Sequence, residues 1–238
     1  EHTPLDFRAL NQFAVGMVDK ATALKKGNAQ PNVALMARFA PYGRENAQWV
    51  AKQALDGGLM GVIFNGIDTP QQATLAVQNM RYPQKKTSKY QTPVGLRGSG
   101  PAAAVWAWGV SNAEYERRAD VWPLNPDGEI ILGVKIENPR ADANVESTVR
   151  VPGIAFAEWG PGDHGFYLVG NPATAGGRGD MAPTMVAVRR RILDATKAAG
   201  IKLGPGHPHE AIPDGCEAQW VSVGGDLVEL ALWFGRAA

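Results

Sequence analysis

The feature that most restricts this chain is the alternation of short apolar runs with helix-patterned stretches. Residues 33–39, 61–67, 130–137, 154–159, 201–203 and 219–223 read as strands. Between and after them, 45–55, 70 to about 81, 112–121, a stretch from Pro139, 183–199 and a stretch from Asp226 read as helices. Asp68 or Thr69 caps the helix that opens at Pro70, where a proline is pre-set for the first turn. Asn138 stands in the same relation to Pro139, and Gly200 ends the helix before it as a C′ glycine. The stretches 82–100 and 160–179 read as loops, the first carrying Lys85, Lys86 and Lys89. Strand–helix alternation of this kind implies a parallel sheet. Six strands fit a doubly wound sheet, or an eight-stranded barrel whose first two strands lie before Glu1.

Two of these runs close on an acid. Glu137 ends the run Ile130-Ile131-Leu132-Gly133-Val134-Lys135-Ile136, and Asp163 follows the strand 154–159 through Gly160-Pro161-Gly162. The carboxyl ends of neighbouring parallel strands are where a barrel places its chemistry. Two hard oxygen ligands with little else nearby suit Mg²⁺ or Mn²⁺, which keep positions open for water and substrate. The plainer reading is that each acid caps the helix that follows.

Length and composition narrow the classes. At 238 residues the chain fits one barrel-sized domain over 1–238, or two small ones. A net charge of +1 marks neither a nucleic-acid nor a membrane partner. The single cysteine, Cys216, rules out an intrachain disulfide and a cysteine metal site, and Glu217 beside it does not favour a thiolate. No apolar stretch approaches the roughly 20 residues that span a bilayer. The expected setting is therefore soluble, reducing and cytoplasmic, although a chain starting at Glu1 without Met leaves room for a leader or more before it.

Eight segments, taken together, resemble a known family. They are Glu1-His2-Thr3-Pro4, Arg38, Ala54-Leu55-Asp56-Gly57-Gly58, Asp68-Thr69-Pro70-Gln71-Gln72-Ala73, Met80-Arg81-Tyr82-Pro83, Gly95-Leu96-Arg97-Gly98, Lys135-Ile136-Glu137 and Gly160-Pro161-Gly162-Asp163. Their order, and their spacing outside one loop, is similar to that of the HpcH/HpaI aldolase/citrate lyase family of metal-dependent (class II) 2-keto acid aldolases. The resemblance runs from Glu1 to the Gly224-Gly225-Asp226 turn. It implies an α/β fold of the TIM-type (β/α)₈ barrel, with one or two strands before Glu1. It also implies a homo-oligomer, trimer or hexamer, that exchanges its terminal helices, with Trp233 and Phe234 facing a neighbouring subunit.

The implied activity is carbon–carbon cleavage or formation between pyruvate, or hydroxypyruvate, and an aldehyde, assisted by Mg²⁺, Mn²⁺ or Co²⁺. Carried over position by position, Glu137 and Asp163 match the metal-ligating carboxylates, and Arg38 matches the arginine at the keto oxygen. His2 matches the acid/base histidine and Asp56 its partner, while the backbone at Gly162 and Asp163 would receive the substrate carboxylate. The physical need is plain. Cleaving the aldol bond leaves a pyruvate enolate, whose charge a divalent ion and a fixed guanidinium stabilise, and the aldol hydroxyl proton needs a base that titrates near neutrality.

The chain also departs from the pattern. Lys135 stands where the family has glutamine, on the same face as Glu137. There it could pair with Glu137, bind the substrate carboxylate or form a Schiff base. Asn65-Gly66 replaces a proline, which makes Asn65 a substrate-contact candidate or a turn filler, and the basic loop 83–95 is longer than usual. His164-Gly165 replaces a leucine and a serine, placing His164 in reach of the aldehyde or in a capping role. His207, His209 and the tripeptide Arg178-Gly179-Asp180 read as ordinary loop residues. Competing readings on the same fold are oxaloacetate decarboxylation, acyl-CoA cleavage and a non-catalytic barrel that binds a keto acid.

Overall fold

The apolar runs become interior strands because they leave no wet face. Every residue of Gly61–Asn65 and Ile130–Ile136 is buried, as expected for strands covered on both sides. The structure is a computed structural model, and it describes residues 5–29, 34–42 (backbone alone at 40–42), 45–170 and 182–204. Its strands are β1 Met36–Tyr42, β2 Gly61–Asn65, β3 Val121–Trp122, β4 Ile130–Ile136, β5 Phe156–Trp159 and β6 Lys202–Gly204. All are parallel, in the order β1-β2-β4-β5-β6, with β3 paired to the start of β4. The helices are α1 Phe7–Gly16, α2 Lys20–Lys26, α3 Gln48–Asp56, α4 Pro70–Met80, α5 Ala102–Trp108, α6 Asn112–Arg118, α7 Pro139–Thr148, α8 Pro161–Leu168 and α9 Pro183–Ala199. Among the described residues none of them is long and apolar enough to cross a membrane.

Register sorts the side chains onto two faces. Arg38 lies beside Ile63, Ile63 beside Gly133, and Gly133 beside Phe156. Two residues further on, Lys135 lies beside Glu158 on the same face. The opposite face carries Val62, Phe64, Leu132, Val134, Ile136, Ala157 and Trp159, which join the large core shared with the helices. The inner face holds a much smaller apolar plug of Ile63, Ile131, Ala155 and Phe156, with Met36 and Trp122 against it. Gly133 makes room for that plug, since a Cβ there would lie 2.7 Å from Cε2 of Phe156. Helices outside, a plug at the amino end and polar groups at the carboxyl end are the layering of a TIM-type barrel.

Cap chemistry fixes the carboxyl-end turns. Thr69 and Gln72 form a capping box at α4, and Gln72 Oε1 also accepts from the Asp68 amide at 2.7 Å. Asp68 is thereby released from capping, and its Oδ1 accepts from Asn138 Nδ2 at 2.7 Å. The Oδ1 of Asn138 caps α7 by accepting from the amides of Arg140 and Ala141, each at 3.0 Å. The turn after β2 is thus tied to the turn after β4, next to Glu137.

Several sequence expectations need correction. The helix expected over 112–121 stops at Arg118, because Ala119 leaves the helical region and Val121–Trp122 pairs with β4. Helices α1 and α2, each capped by an aspartate (Asp6 and Asp19), and α5 lie where no element was expected. The presumed loop after Gly160 opens with α8, whose first residue is Pro161. The loop 82–100 follows a helix rather than a strand, so it lies at the amino end of the sheet, away from the mouth. Its Lys85, Lys86 and Lys89 are exposed, in keeping with a solvated stretch. The strand 219–223, the helix from Asp226, His2, His207, His209, Cys216, Trp233, Phe234 and Arg178-Gly179-Asp180 lie outside the described residues.

Candidate active site

The inner face at the carboxyl end carries two ion pairs, Lys135–Glu137 at the end of β4 and Arg38–Glu158 between β1 and β5. Glu137, only 2% exposed, stands just past β4. Its Oε1 accepts from the Gly66 amide at 2.8 Å, and its Oε2 lies 3.0 Å from Nζ of Lys135. Arg38 donates from Nη1 to Oε1 of Glu158 at 2.5 Å, in a partly exposed pair. Between them lies Asn65, 1% exposed, whose Nδ2 donates to the Phe39 carbonyl at 2.6 Å. That bond orients the amide and leaves Oδ1 as a buried acceptor with no donor among the described residues.

Gly160 is the joint that lets these groups pack. A Cβ at this position would lie 2.5 Å from Oε2 of Glu137, 2.7 Å from Cβ of Glu137 and 2.8 Å from Cε of Lys135. Three residues later Asp163 is partly exposed in the first turn of α8. No side chain caps that helix, and Pro161 has no N–H, so the first amides of α8, at the exposed Gly162 and at Asp163, suit an anion. Glu137 and Asp163 therefore stand at the carboxyl ends of adjacent strands.

The donor set fits a hard cation. Glu137 is a buried carboxylate held by one amide, and its other oxygen already faces a positive charge. Among the described residues no three His, Cys, Asp or Glu side chains gather into a closed cage. An ion held by Glu137 and Asp163 would thus keep most positions for water and substrate. Of the three roles expected for Lys135, the structure shows the pairing with Glu137.

The structure gathers Arg38, Asn65, Lys135 and Glu137 and places Gly162 and Asp163 on the adjoining helix. Two expected site residues lie elsewhere. Asp56 ends α3, and a helix following a strand carries its last turn back to the amino end of the sheet. There it pairs with Lys52, and its Oδ1 accepts from Nη2 of the buried Arg97 at 2.7 Å. Arg97 also donates to the Tyr115 hydroxyl at 2.7 Å and stacks 4.5 Å from the Tyr82 ring, whose phenol burial pushes up to about 12. Asp56 anchors that cluster, and its expected partner, His2, lies outside the described residues.

His164 is completely buried, and it turns away from the mouth. Its Nδ1 accepts from Nε1 of Trp159 at 3.2 Å, and its Nε2 lies 2.8 Å from Oδ2 of Asp142 on α7. Trp159 faces the helices, so His164 joins α8 to α7 behind the sheet. Asp142→Ala should therefore cost about 1–3 kcal/mol of stability by removing the carboxylate that faces the buried imidazole, as read from urea unfolding. An unchanged midpoint would show that this contact contributes nothing.

Glu158 is the site residue that the sequence reading did not single out. The available signal was an acid two residues before Gly160 in an otherwise apolar strand.

Comparison with known proteins agrees with this geometry. No family model matches the chain. It is 34% identical over 156 residues to the hydroxypyruvate/pyruvate aldolase of Deinococcus radiodurans, an alignment of 63% of this chain and 48% of the relative. Its identity to the protein of the same name from Agrobacterium fabrum is 28%, over 97% of this chain and 74% of the relative. With that of Pseudomonas aeruginosa the identity is 30%, over 84% of this chain and 63% of the relative. The chain thus spans from about half to three quarters of the length of these curated relatives. Among solved structures, an HpcH/HpaI aldolase/citrate lyase family protein from Burkholderia cenocepacia superposes with a TM-score of 0.61 at 27% identity, covering 86% of this chain and 67% of the other. An HpcH/HpaI aldolase from Desulfitobacterium hafniense shares the fold, with a TM-score of 0.60 at 21% identity over 86% and 64% of the two chains. The chain is thus similar in sequence to hydroxypyruvate/pyruvate aldolases and in fold to HpcH/HpaI aldolase/citrate lyase family proteins.

Proposed function

We propose that the chain is the barrel of a divalent-metal-dependent aldolase. It would make or cleave 4-hydroxy-2-keto acids from pyruvate, or hydroxypyruvate, and an aldehyde, as a cytoplasmic homo-oligomer. The observation that carries this reading is the buried Glu137, held by the Gly66 amide and bearing a cation, on the same inner face as Arg38. The names of the curated relatives support the same substrate class.

Glu137 and Asp163 would hold Mg²⁺, Mn²⁺ or Co²⁺, which when bound supplies a Lewis acid for the keto acid. Glu158 holds Arg38 toward the inner face. An always-charged guanidinium fixed there would donate to the keto oxygen as negative charge gathers on it. The amides at the start of α8 would receive the substrate carboxylate. His2 is assigned the aldol hydroxyl proton, a role for which imidazole suits neutral pH.

The pairing of Lys135 with Glu137 favours one competing reading, a barrel that binds a keto acid without turning it over. Exchange of the pyruvate C3 protons with D₂O, followed by NMR with Mg²⁺ or Mn²⁺ and then with chelator, separates the two. Metal-dependent exchange is the expected result. Binding without exchange would leave only the silent barrel. Gly160→Ala should lower the exchange rate by about 10²-fold, because its Cβ displaces Glu137 and Lys135 and enzymes lose about that much from misplacements near 1 Å. A circular dichroism spectrum like that of the parent would show that the fold is kept.

A further inference from the structure

Arg38, the guanidinium assigned to the keto oxygen, reaches its place already holding an acid. Its Nη1 donates to Oε1 of Glu158 at 2.5 Å, from β1 to β5, and the two side chains are only 27% and 13% exposed. Glu158 lies beside Lys135 in the register of β4 and β5, and Lys135 is 3.0 Å from Glu137. Positive and negative groups therefore alternate in the order Arg38, Glu158, Lys135, Glu137. Lys202, on β6 beside Phe156 and on the same face, is engaged as well. Among the described residues, each cation of the inner face is thus occupied from within the chain.

On the aldolase reading, a 2-keto acid presents one carboxylate to the amides of α8 and its keto oxygen to Arg38. C3 is bonded to the keto carbon, so a second carboxylate on C3 would enter beside the same guanidinium. That group is a rigid fork, and one of its two outer nitrogens is already on Glu158. A carboxylate buried without a cation of its own, close to another acid, is costly where charges are poorly screened. We infer that Glu158 is a specificity residue that confines the keto-acid substrate to the monocarboxylic class. It does so by occupying Arg38 and by placing a negative charge where a second carboxylate would arrive. Pyruvate and hydroxypyruvate are accepted, and oxaloacetate, which carries a carboxylate on C3, is disfavoured. The inference rests on the aldolase reading and narrows its substrate.

The test compares two reactions, with Mn²⁺ present, that pass through one enolate. Exchange removes a C3 proton from pyruvate. Decarboxylation of oxaloacetate, measured above the rate with Mn²⁺ alone, breaks C3–C4, releases CO₂ and leaves the same electron pair on the enolate. Glu158→Gln keeps the size and an acceptor for Arg38 but removes the charge. Its KM for oxaloacetate should fall about tenfold or more relative to its KM for pyruvate, as one fewer negative charge a few ångströms away predicts. A fault in the aim of Arg38 would instead lower kcat of both reactions alike. Glu158→Asp, which keeps the charge, should stay near the parental ratio. 2-Ketobutyrate, with a methyl group on C3 in place of the carboxylate, should gain nothing from Glu158→Gln. An unchanged ratio in Glu158→Gln overturns the inference, and so does a gain that 2-ketobutyrate shares. If Glu158→Gln fails to fold, Glu158→Ala gives the same comparison. When neither pyruvate nor oxaloacetate reacts with the parent, the aldolase reading has failed, and the inference with it. When pyruvate exchanges but the ratio is indifferent to Glu158, only the inference has failed.

Discussion

Asp163→Asn should lower the metal-dependent exchange of pyruvate C3 protons by about three orders of magnitude, the several kcal/mol expected when a ligand's charge is lost from a Lewis-acid site. The substitution isolates that charge. Asp163 is partly exposed in the first turn of α8, where asparagine has the same shape and is well tolerated near a helix start. The fold should therefore persist, with unfolding stability within about 0.5 kcal/mol of the parent, as for most surface changes. Glu137→Gln removes the other charge at a greater structural cost, because it also strips the buried Lys135 of its counter-ion. Comparison of the two separates ligand loss from unfolding. Chelator-sensitive exchange at the parental rate in Asp163→Asn would place the second ligand elsewhere.

Much of this arrangement was legible in the residues. The strand period alone put Lys135 and Glu137 on one face, and the structure turns that into a 3.0 Å ion pair. The asparagine–proline and threonine–proline starts marked α7 and α4 correctly, because those signals are local hydrogen-bond chemistry. What failed was long-range. Gly160-Pro161-Gly162 read as a loop because two glycines outweigh one proline, yet Pro161 is the first residue of α8. His164 looked like a site group by its nearness to Asp163. One position along a helix turns a side chain by about 100°, enough to send it to Trp159 and Asp142. Asp56, matched by motif as the partner of His2, sits with Lys52 and Arg97, and His2 lies outside the described residues. Glu158 meets Arg38 through the stagger of non-adjacent strands, and no local pattern encodes that stagger.

Arg81→Met should lower the thermal midpoint by about 10 °C without changing pyruvate exchange at 25 °C. Arg81 is fully buried at the amino end of the sheet, and its guanidinium is used on every side. Nε donates to Oδ1 of Asp120 at 2.5 Å, Nη2 to Oδ2 of Asp120 at 2.9 Å, Nη1 to the Pro93 carbonyl at 2.7 Å and Nη2 to the Tyr90 carbonyl at 2.7 Å. The side chain thus pins the loop after α4 to the turn before β3. Removing one partner of a buried pair costs about 3–5 kcal/mol, because the other charge is left uncompensated. At roughly 2–4 °C per kcal/mol for a domain of this size, the midpoint moves by the stated amount. Two bonds remain to Asp120, from the Val121 amide at 2.9 Å and from Nδ2 of Asn125 at 3.0 Å, so the loss should fall toward the lower end. Calorimetry of Arg81→Met, Asp120→Leu and the double variant shows where the cost lies. A double variant more stable than either single one locates it in the stranded charge, since a buried ion pair exchanged for apolar groups is often neutral. A double variant as weak as Arg81→Met moves the cost to the unpaired carbonyls of Tyr90 and Pro93, and the loop rather than the ion pair would then be what Arg81 stabilises.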